Sequence, residues 1–90
     1  MTDRVALIEQ RLRDALAPEA LEIIDDSAAH AGHAGAREGG HFTVRVVATT
    51  FAGKTPLQRH RLVYAAVADL MRRDIHALSI QARTPEETRA

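Results

Sequence analysis

Between Phe42 and Arg83 the chain reads strand, turn, helix, strand, and that order restricts its fold more than any other feature of its 90 residues. Phe42, Val44, Val46 and Ala48 alternate with Thr43, Arg45 and Val47, the period of two of a strand with one apolar face. Phe51-Ala52-Gly53-Lys54 is a turn. Thr55-Pro56-Leu57-Gln58 then has the form of a capping box with proline at the first helical position. The helix it opens is predicted to run to about Arg72. Leu57, His60, Tyr64, Val67 and Met71 form its apolar stripe, widened by Val63 and Leu70, with Arg59, Arg61, Asp69 and Arg72 facing elsewhere. A third strand follows over about Ile75 to Arg83. Leu78, Ile80 and Ala82 share its inner face, and His76 has the same parity. Two strands joined through a helix lie parallel, with a right-handed crossover.

The first part of the chain supplies the rest of the architecture. Val5, Ile8, Leu12, Ala15 and Leu16 recur at helical spacing, which predicts a helix from about Asp3 to Ala17 with Thr2 as N-cap. Pro18 ends it. Leu21-Glu22-Ile23-Ile24-Asp25 reads as a short strand, and residues 28–40 as a loop of small residues long enough to suggest function. The two strands flanking that loop are predicted to be antiparallel. Thr84-Pro85-Glu86-Glu87 repeats the capping-box signature and predicts one C-terminal helical turn. The expectation is a single α+β domain over 1–90, in the order α-β-β-α-β, with a three-stranded mixed sheet carrying helices on one face. Its core is thin, because seventeen of the hydrophobic residues are alanine.

Composition removes several classes of chemistry. The chain has no cysteine, so it cannot hold a disulfide, a thiolate zinc site, a thiol nucleophile or an iron–sulfur cluster by thiolates of its own. No apolar run approaches a membrane span and no apolar signal region opens the sequence, which gives the expectation of a soluble cytoplasmic domain without membrane contact. Enzyme chemistry has little support. Ser27 and Ser79 lie outside any Gly-x-Ser-x-Gly elbow, and Asp25 and Asp26, adjacent at a strand end, point to opposite sides. No phosphate-binding or dinucleotide motif is present.

Two features remain as candidates. The formal net charge is zero, yet residues 1–40 carry net −4 and residues 41–90 net +4. Lys54, Arg59 and Arg61 lie around the start of the second helix, and Arg72 and Arg73 follow its end. These five bases either contact phosphate or form a solvated face. The second feature is histidine, at His30, His33, His41, His60 and His76. His30 and His33 stand in the small-residue loop and His41 at the next strand's start. They are either solvated or, if the loop folds back, ligands of a single metal ion. His76 is either a partly buried histidine with one hydrogen bond or a ligand on a rigid strand. His60 reads as a packed residue.

Taken together, these stretches resemble the BolA family from about Val5 to Glu87. The resemblance is carried by Leu21-Glu22-Ile23 with Asp25-Asp26-Ser27, His30-Ala31-Gly32-His33-Ala34-Gly35, His41-Phe42-Thr43-Val44 and Phe51-Ala52-Gly53-Lys54. It continues through Leu57-Gln58-Arg59-His60-Arg61-Leu62-Val63-Tyr64 and Ile75-His76-Ala77-Leu78-Ser79-Ile80 to Thr84-Pro85-Glu86. The Arg-His-Arg helix and the Ile-His-Ala-Leu strand are the most diagnostic. The resemblance implies a fold related to the type II KH domain. A KH domain's Gly-x-x-Gly loop is absent at the expected helix junction, however, since Gly32 and Gly35 have that spacing in the wrong loop. It also implies two activities. One is a non-enzymatic partnership with a monothiol glutaredoxin, through a bridging [2Fe–2S] cluster used in iron–sulfur trafficking or iron sensing. The other is DNA binding in transcriptional regulation of stress and morphology genes. The family's strand histidine falls on His76 and its loop ligand on His30, with His33 and His41 as alternates. The sulfur ligands would come from the glutaredoxin and its glutathione. The chain is then a monomer alone and a heterodimer with its partner.

Overall fold

A computed structural model describes residues 3–27 and 40–89. Its elements are α1 (Arg4–Leu16), β1 (Ala20–Asp25), β2 (Gly40–Val47), α2 (Pro56–Ala66), β3 (Ile75–Arg83) and α3 (Pro85–Arg89), with short 3-10 turns at Thr49–Phe51 and Ala68–Leu70. The sheet has the order β1-β2-β3. Strand β2 pairs antiparallel with β1, from Ala20 opposite Val47 to Asp25 opposite Phe42, and parallel with β3. The mixed sheet and the element order are those expected from the sequence.

Helix α1 starts where Asp3 accepts the Ala6 amide at 3.2 Å. The cap is therefore Asp3, one residue later than expected. Its carboxylate both fills an orphan donor and suits the positive end of the helix. The helix ends at Ala17, whose φ of 46° turns the chain left-handed ahead of Pro18 while its amide bonds the Arg13 carbonyl. Ile8, Leu12 and Leu16 are buried along one stripe, as their spacing predicts, whereas Ala15 is exposed.

The inner face of β2 supplies Phe42, Val44, Val46 and Ala48, all buried. They meet the α1 stripe, Phe51 from the following turn, and Val63, Val67 and Leu70 from the second helical region. Leu21 and Ile23 of β1 and Leu78, Ile80 and Ala82 of β3 pack around them. The opposite face of β2 carries Thr43, Arg45 and Val47, and Arg45 pairs with Glu22 of β1 at 3.0 Å. One buried and one polar face is the usual state of a small sheet with antiparallel pairing.

Helix α2 departs from its predicted face. It ends at Ala66, not near Arg72, and a tight turn through Ala68–Leu70 carries the chain on. Val63 faces the core, while Leu57 is 58% and Tyr64 40% exposed. At 100° per residue, Leu57 and Tyr64 lie roughly 100–120° around the helix from Val63. Val63, Val67 and Leu70, spaced i, i+4 and i+7, share the buried arc, so the predicted stripe is rotated from it towards Leu57 and Tyr64. The same rotation brings Arg59 and His60 to half-buried positions beside the core face.

Both capping boxes form. Thr55 and Gln58 exchange bonds at the start of α2, and Thr84 and Glu87 do so at α3. Arg59 joins the two. Its guanidinium bonds Glu87 at 2.6 and 3.1 Å, the Ala82 carbonyl at 3.1 Å and the Lys54 carbonyl at 2.9 Å. The Arg59 bonds, with the Thr84 amide, hold the Glu87 carboxyl down at about 2, below its ordinary 4.5.

A depressed carboxyl stabilises the fold above its unfolded value and stops doing so as pH falls through the folded one. Glu87 therefore contributes stability at neutral pH that is lost between about pH 4.5 and about 2. In thermal melts, Glu87→Gln lowers the midpoint at pH 7, and its deficit against the parent shrinks steadily towards pH 2. At Gly40, an added Cβ would stand 2.5 Å from Ser27 Oγ and 2.6 Å from the Phe42 ring. Gly40→Ala should then cost about 1–3 kcal/mol by overpacking, read as a lower denaturant midpoint at unchanged slope.

Candidate functional site

Because β2 and β3 are parallel and β1 is antiparallel to them, three chain segments meet at one end of the sheet. They are the start of β2, the start of β3 and the Asp25-Asp26-Ser27 turn after β1. Asp25 accepts the Ser27 amide at 2.9 Å, closing a local turn. Hydrogen bonding from Ser27, side chain first and then backbone, holds the Asp25 carboxyl below its ordinary range. The turn grips His41 from both sides. Its amide donates to Ser27 Oγ at 3.1 Å, and its carbonyl accepts the Asp26 amide at 2.7 Å. Thr43 adds a hydroxyl bond to Asp26 at 2.7 Å. The Gly40 amide donates to the Asp74 carbonyl at 3.0 Å, tying the start of β2 to the chain just before β3.

The register between the parallel strands slips here. Gly40 stands opposite Ile75 and His41 opposite Ala77, so one step on β2 spans two on β3. His76 is the extra residue. Ile75, 1% exposed, takes the inner position, and Leu78 resumes the inner row. The bulge aims His76 outward, where it is exposed, and sets its ring against His41. The two imidazole centres are 5.2 Å apart and tilted by 45°. The parity that grouped His76 with Leu78 and Ile80 on the inner face is corrected by this extra residue. A bulge re-aims a side chain in this way, and bulges are over-represented next to active sites.

Neutral imidazole offers one lone-pair nitrogen. Two such rings sharing a metal at about 2.0–2.1 Å per nitrogen have centres roughly 5 Å apart in a tetrahedral arrangement. The pair fits half of a metal or cluster ligand set. Among the described residues no third histidine or carboxylate joins it to complete one. His30 and His33, the expected loop ligand and its alternate, lie outside the described residues. His60 is half-buried on α2, away from the pair in sequence and element.

The five candidate phosphate-contacting bases do not act alike. Arg59 spends its donors on Glu87, Ala82 and Lys54, with its side chain only 13% exposed. That clamp was invisible in the sequence, although the Thr84–Glu87 capping signature marks where its acidic half must stand. Arg61, Arg72 and Arg73 are exposed, and Lys54 is half-buried; none makes an ion pair among the described residues. A groove of about 600 Å³ opens at the opposite end of the sheet from the histidines, lined by Glu19, Thr49, Arg59, Thr84, Glu86 and Arg89 among others. Among the described residues, no helix is long and apolar enough to cross a membrane.

Comparison with known proteins agrees with the motifs. The family model for BolA-like proteins matches residues 12–87. The chain is 49% identical to human BolA-like protein 1 over 84 residues, 93% of this chain and 60% of that protein. It is 42% identical over 81 residues to the Vibrio cholerae DNA-binding transcriptional regulator BolA, 90% of this chain and 74% of that one. Among solved structures, the BolA domain of SufE1 from Arabidopsis thaliana superposes with a TM-score of 0.84 at 42% identity, covering 97% of this chain and 98% of that domain. BolA1 from the same plant gives 0.84 at 38% identity, with 97% of each chain covered. The chain spans about 60% of the length of the human relative. With the Ile-His-Ala-Leu strand, the Arg-His-Arg helix and the sheet all in place, the chain belongs to the BolA-like family.

Proposed function

We propose that this chain is a non-enzymatic cytoplasmic adaptor that binds a monothiol glutaredoxin and shares a [2Fe–2S] cluster with it, in iron–sulfur trafficking or iron sensing. The observation that carries the reading is the exposed ring of His76, turned out of the core by a bulge and seated against His41. A residue packed only for stability has no need of that exposure. His76 is the ligand from the rigid sheet and His30 the ligand from the loop, with His33 and His41 as alternates. His41 is well suited to a supporting part, since Asp26 and Ser27 fix its backbone and its ring flanks His76. The chain has no cysteine of its own, which is compatible with sulfur ligands supplied by the partner's cysteine and its bound glutathione. When bound, the cluster supplies one-electron or transferable iron–sulfur chemistry, and imidazole ligation raises its potential relative to thiolate ligation.

A second reading has its own support. Two bacterial relatives are named DNA-binding transcriptional regulators, at 42% and 38% identity. Arg61, Arg72 and Arg73 stand exposed without ion pairs among the described residues, as phosphate contacts require. Arg59 is the weakest of the five bases for this purpose, because its donors are already engaged.

Reconstitution with a monothiol glutaredoxin, glutathione, iron and sulfide tests the first reading by visible circular dichroism. A spectrum distinct from that of glutaredoxin alone should appear and be lost in His76→Ala. An unchanged spectrum in that variant sinks the cluster reading. Titration of duplex DNA at two salt concentrations tests the second. Neutralising three or four phosphates should weaken binding by roughly fortyfold to 150-fold between 50 and 200 mM salt. Arg72→Ala with Arg73→Ala should flatten that dependence, and binding that ignores salt excludes the arginines as phosphate contacts.

A further inference from the structure

Strand β3 lies at the edge of the sheet, with β2 as its partner among the described residues. Its backbone groups alternate in direction. The Arg83 carbonyl accepts the Ala48 amide on the β2 side. The carbonyls of Leu78 and Ala82 point the other way, where they accept Tyr64 Oη at 3.4 Å and Arg59 Nη1 at 3.1 Å. By the same alternation, the amide and carbonyl of Ile80 and the amides of Leu78 and Ala82 also face away from β2. A row of outward donors and acceptors is a template for another strand.

The two large exposed hydrophobics of the described residues lie beside this edge or on the same helix face. Tyr64 reaches β3 through its hydroxyl, and Leu57 stands seven residues earlier on that face of α2. Arg61 lies between them in sequence, exposed and without an ion pair among the described residues. Arg72 and Arg73, in the turn leading into β3, are exposed in the same way. One strip therefore combines free backbone groups, apolar side chains and unneutralised positive charge.

We propose that this strip binds an extended acidic segment of a partner protein by strand addition. The segment pairs with the outward groups around Ile80, rests apolar side chains on Tyr64 and Leu57, and places carboxylates near Arg61, Arg72 and Arg73. The long Tyr64 bond gives way readily, whereas Arg59, anchored on Glu87, closes the strip at Ala82. A second copy of the chain is disfavoured, since it brings the same arginines to the same edge. Nucleic acid matches the charge but leaves the apolar side chains and the strand amides unused. The strip is distinct from the histidine pair, so this proposal stands or falls independently of the cluster reading.

The probe is a capped hexapeptide of alternating glutamate and valine, followed by amide hydrogen exchange and ¹⁵N spectra of the whole chain at low salt. The Ile80 and Ala82 amides should exchange about tenfold more slowly with peptide, while the inward Ser79 and Gln81 amides stay unchanged. Arg61→Glu and Leu57→Asp, both at exposed positions, should each weaken the peptide by roughly tenfold, and a peptide with lysine for glutamate should not bind. Four results overturn the proposal: no added protection at Ile80, peptide binding by either variant as tight as by the parent, dimerisation of the chain through β3, or duplex DNA displacing the peptide from the same amides.

Discussion

Strand β2 is the element on which the rest of this molecule depends. Among the described residues it is the one strand with partners on both sides, antiparallel on one and parallel on the other. Its inner row of Phe42, Val44, Val46 and Ala48 is the floor on which α1 and the second helical region pack. A chain whose hydrophobic residues are so largely alanine cannot spread its burial over many places. The few large side chains must converge, and the central strand is where a three-stranded sheet lets them.

The mixed sheet has a consequence for chemistry. A purely antiparallel meander would bring the starts of β2 and β3 to opposite ends. The crossover through α2 places them at the same end, together with the turn that closes β1. Two histidines far apart in sequence are then neighbours at 5.2 Å. The backbone of one is fixed by Asp26 and Ser27, while the other is delivered by a bulge in β3. Rigid support on both strands is what a shared ligand set needs, since an imprecise pair would have to be ordered at the moment of binding.

Periodicity and capping made most of the architecture legible. The alternation from Phe42 to Ala48, the Thr55 and Thr84 capping signatures and Pro18 each point to one local structure, and each is realised. The misreadings have a common origin, which is phase. The predicted stripe on α2 is rotated from the buried arc of Val63, Val67 and Leu70, and the predicted inner face of β3 runs through a bulge that shifts it by one. Neither the rotation of α2 nor the extra residue at His76 leaves a mark in the pattern of apolar residues, because both are responses to packing against β2. The Arg59–Glu87 clamp was equally hidden. Each residue has an ordinary local role, and only the approach of α3 to α2 joins them.

The element order, the parallel crossover, the buried row of the central strand and the lack of any thiolate ligand are all legible in the chain of residues alone. These are local or compositional properties, settled by the spacing of side chains along one segment or by a count. Packing of the elements against one another is what sets His41 beside His76, spends Arg59 inside the fold, and leaves Leu57 and Tyr64 in solvent beside an open strand edge. Those outcomes depend on the rotation of one element against another. That rotation is set by how a small set of apolar side chains fills the space above β2, and no single segment carries it.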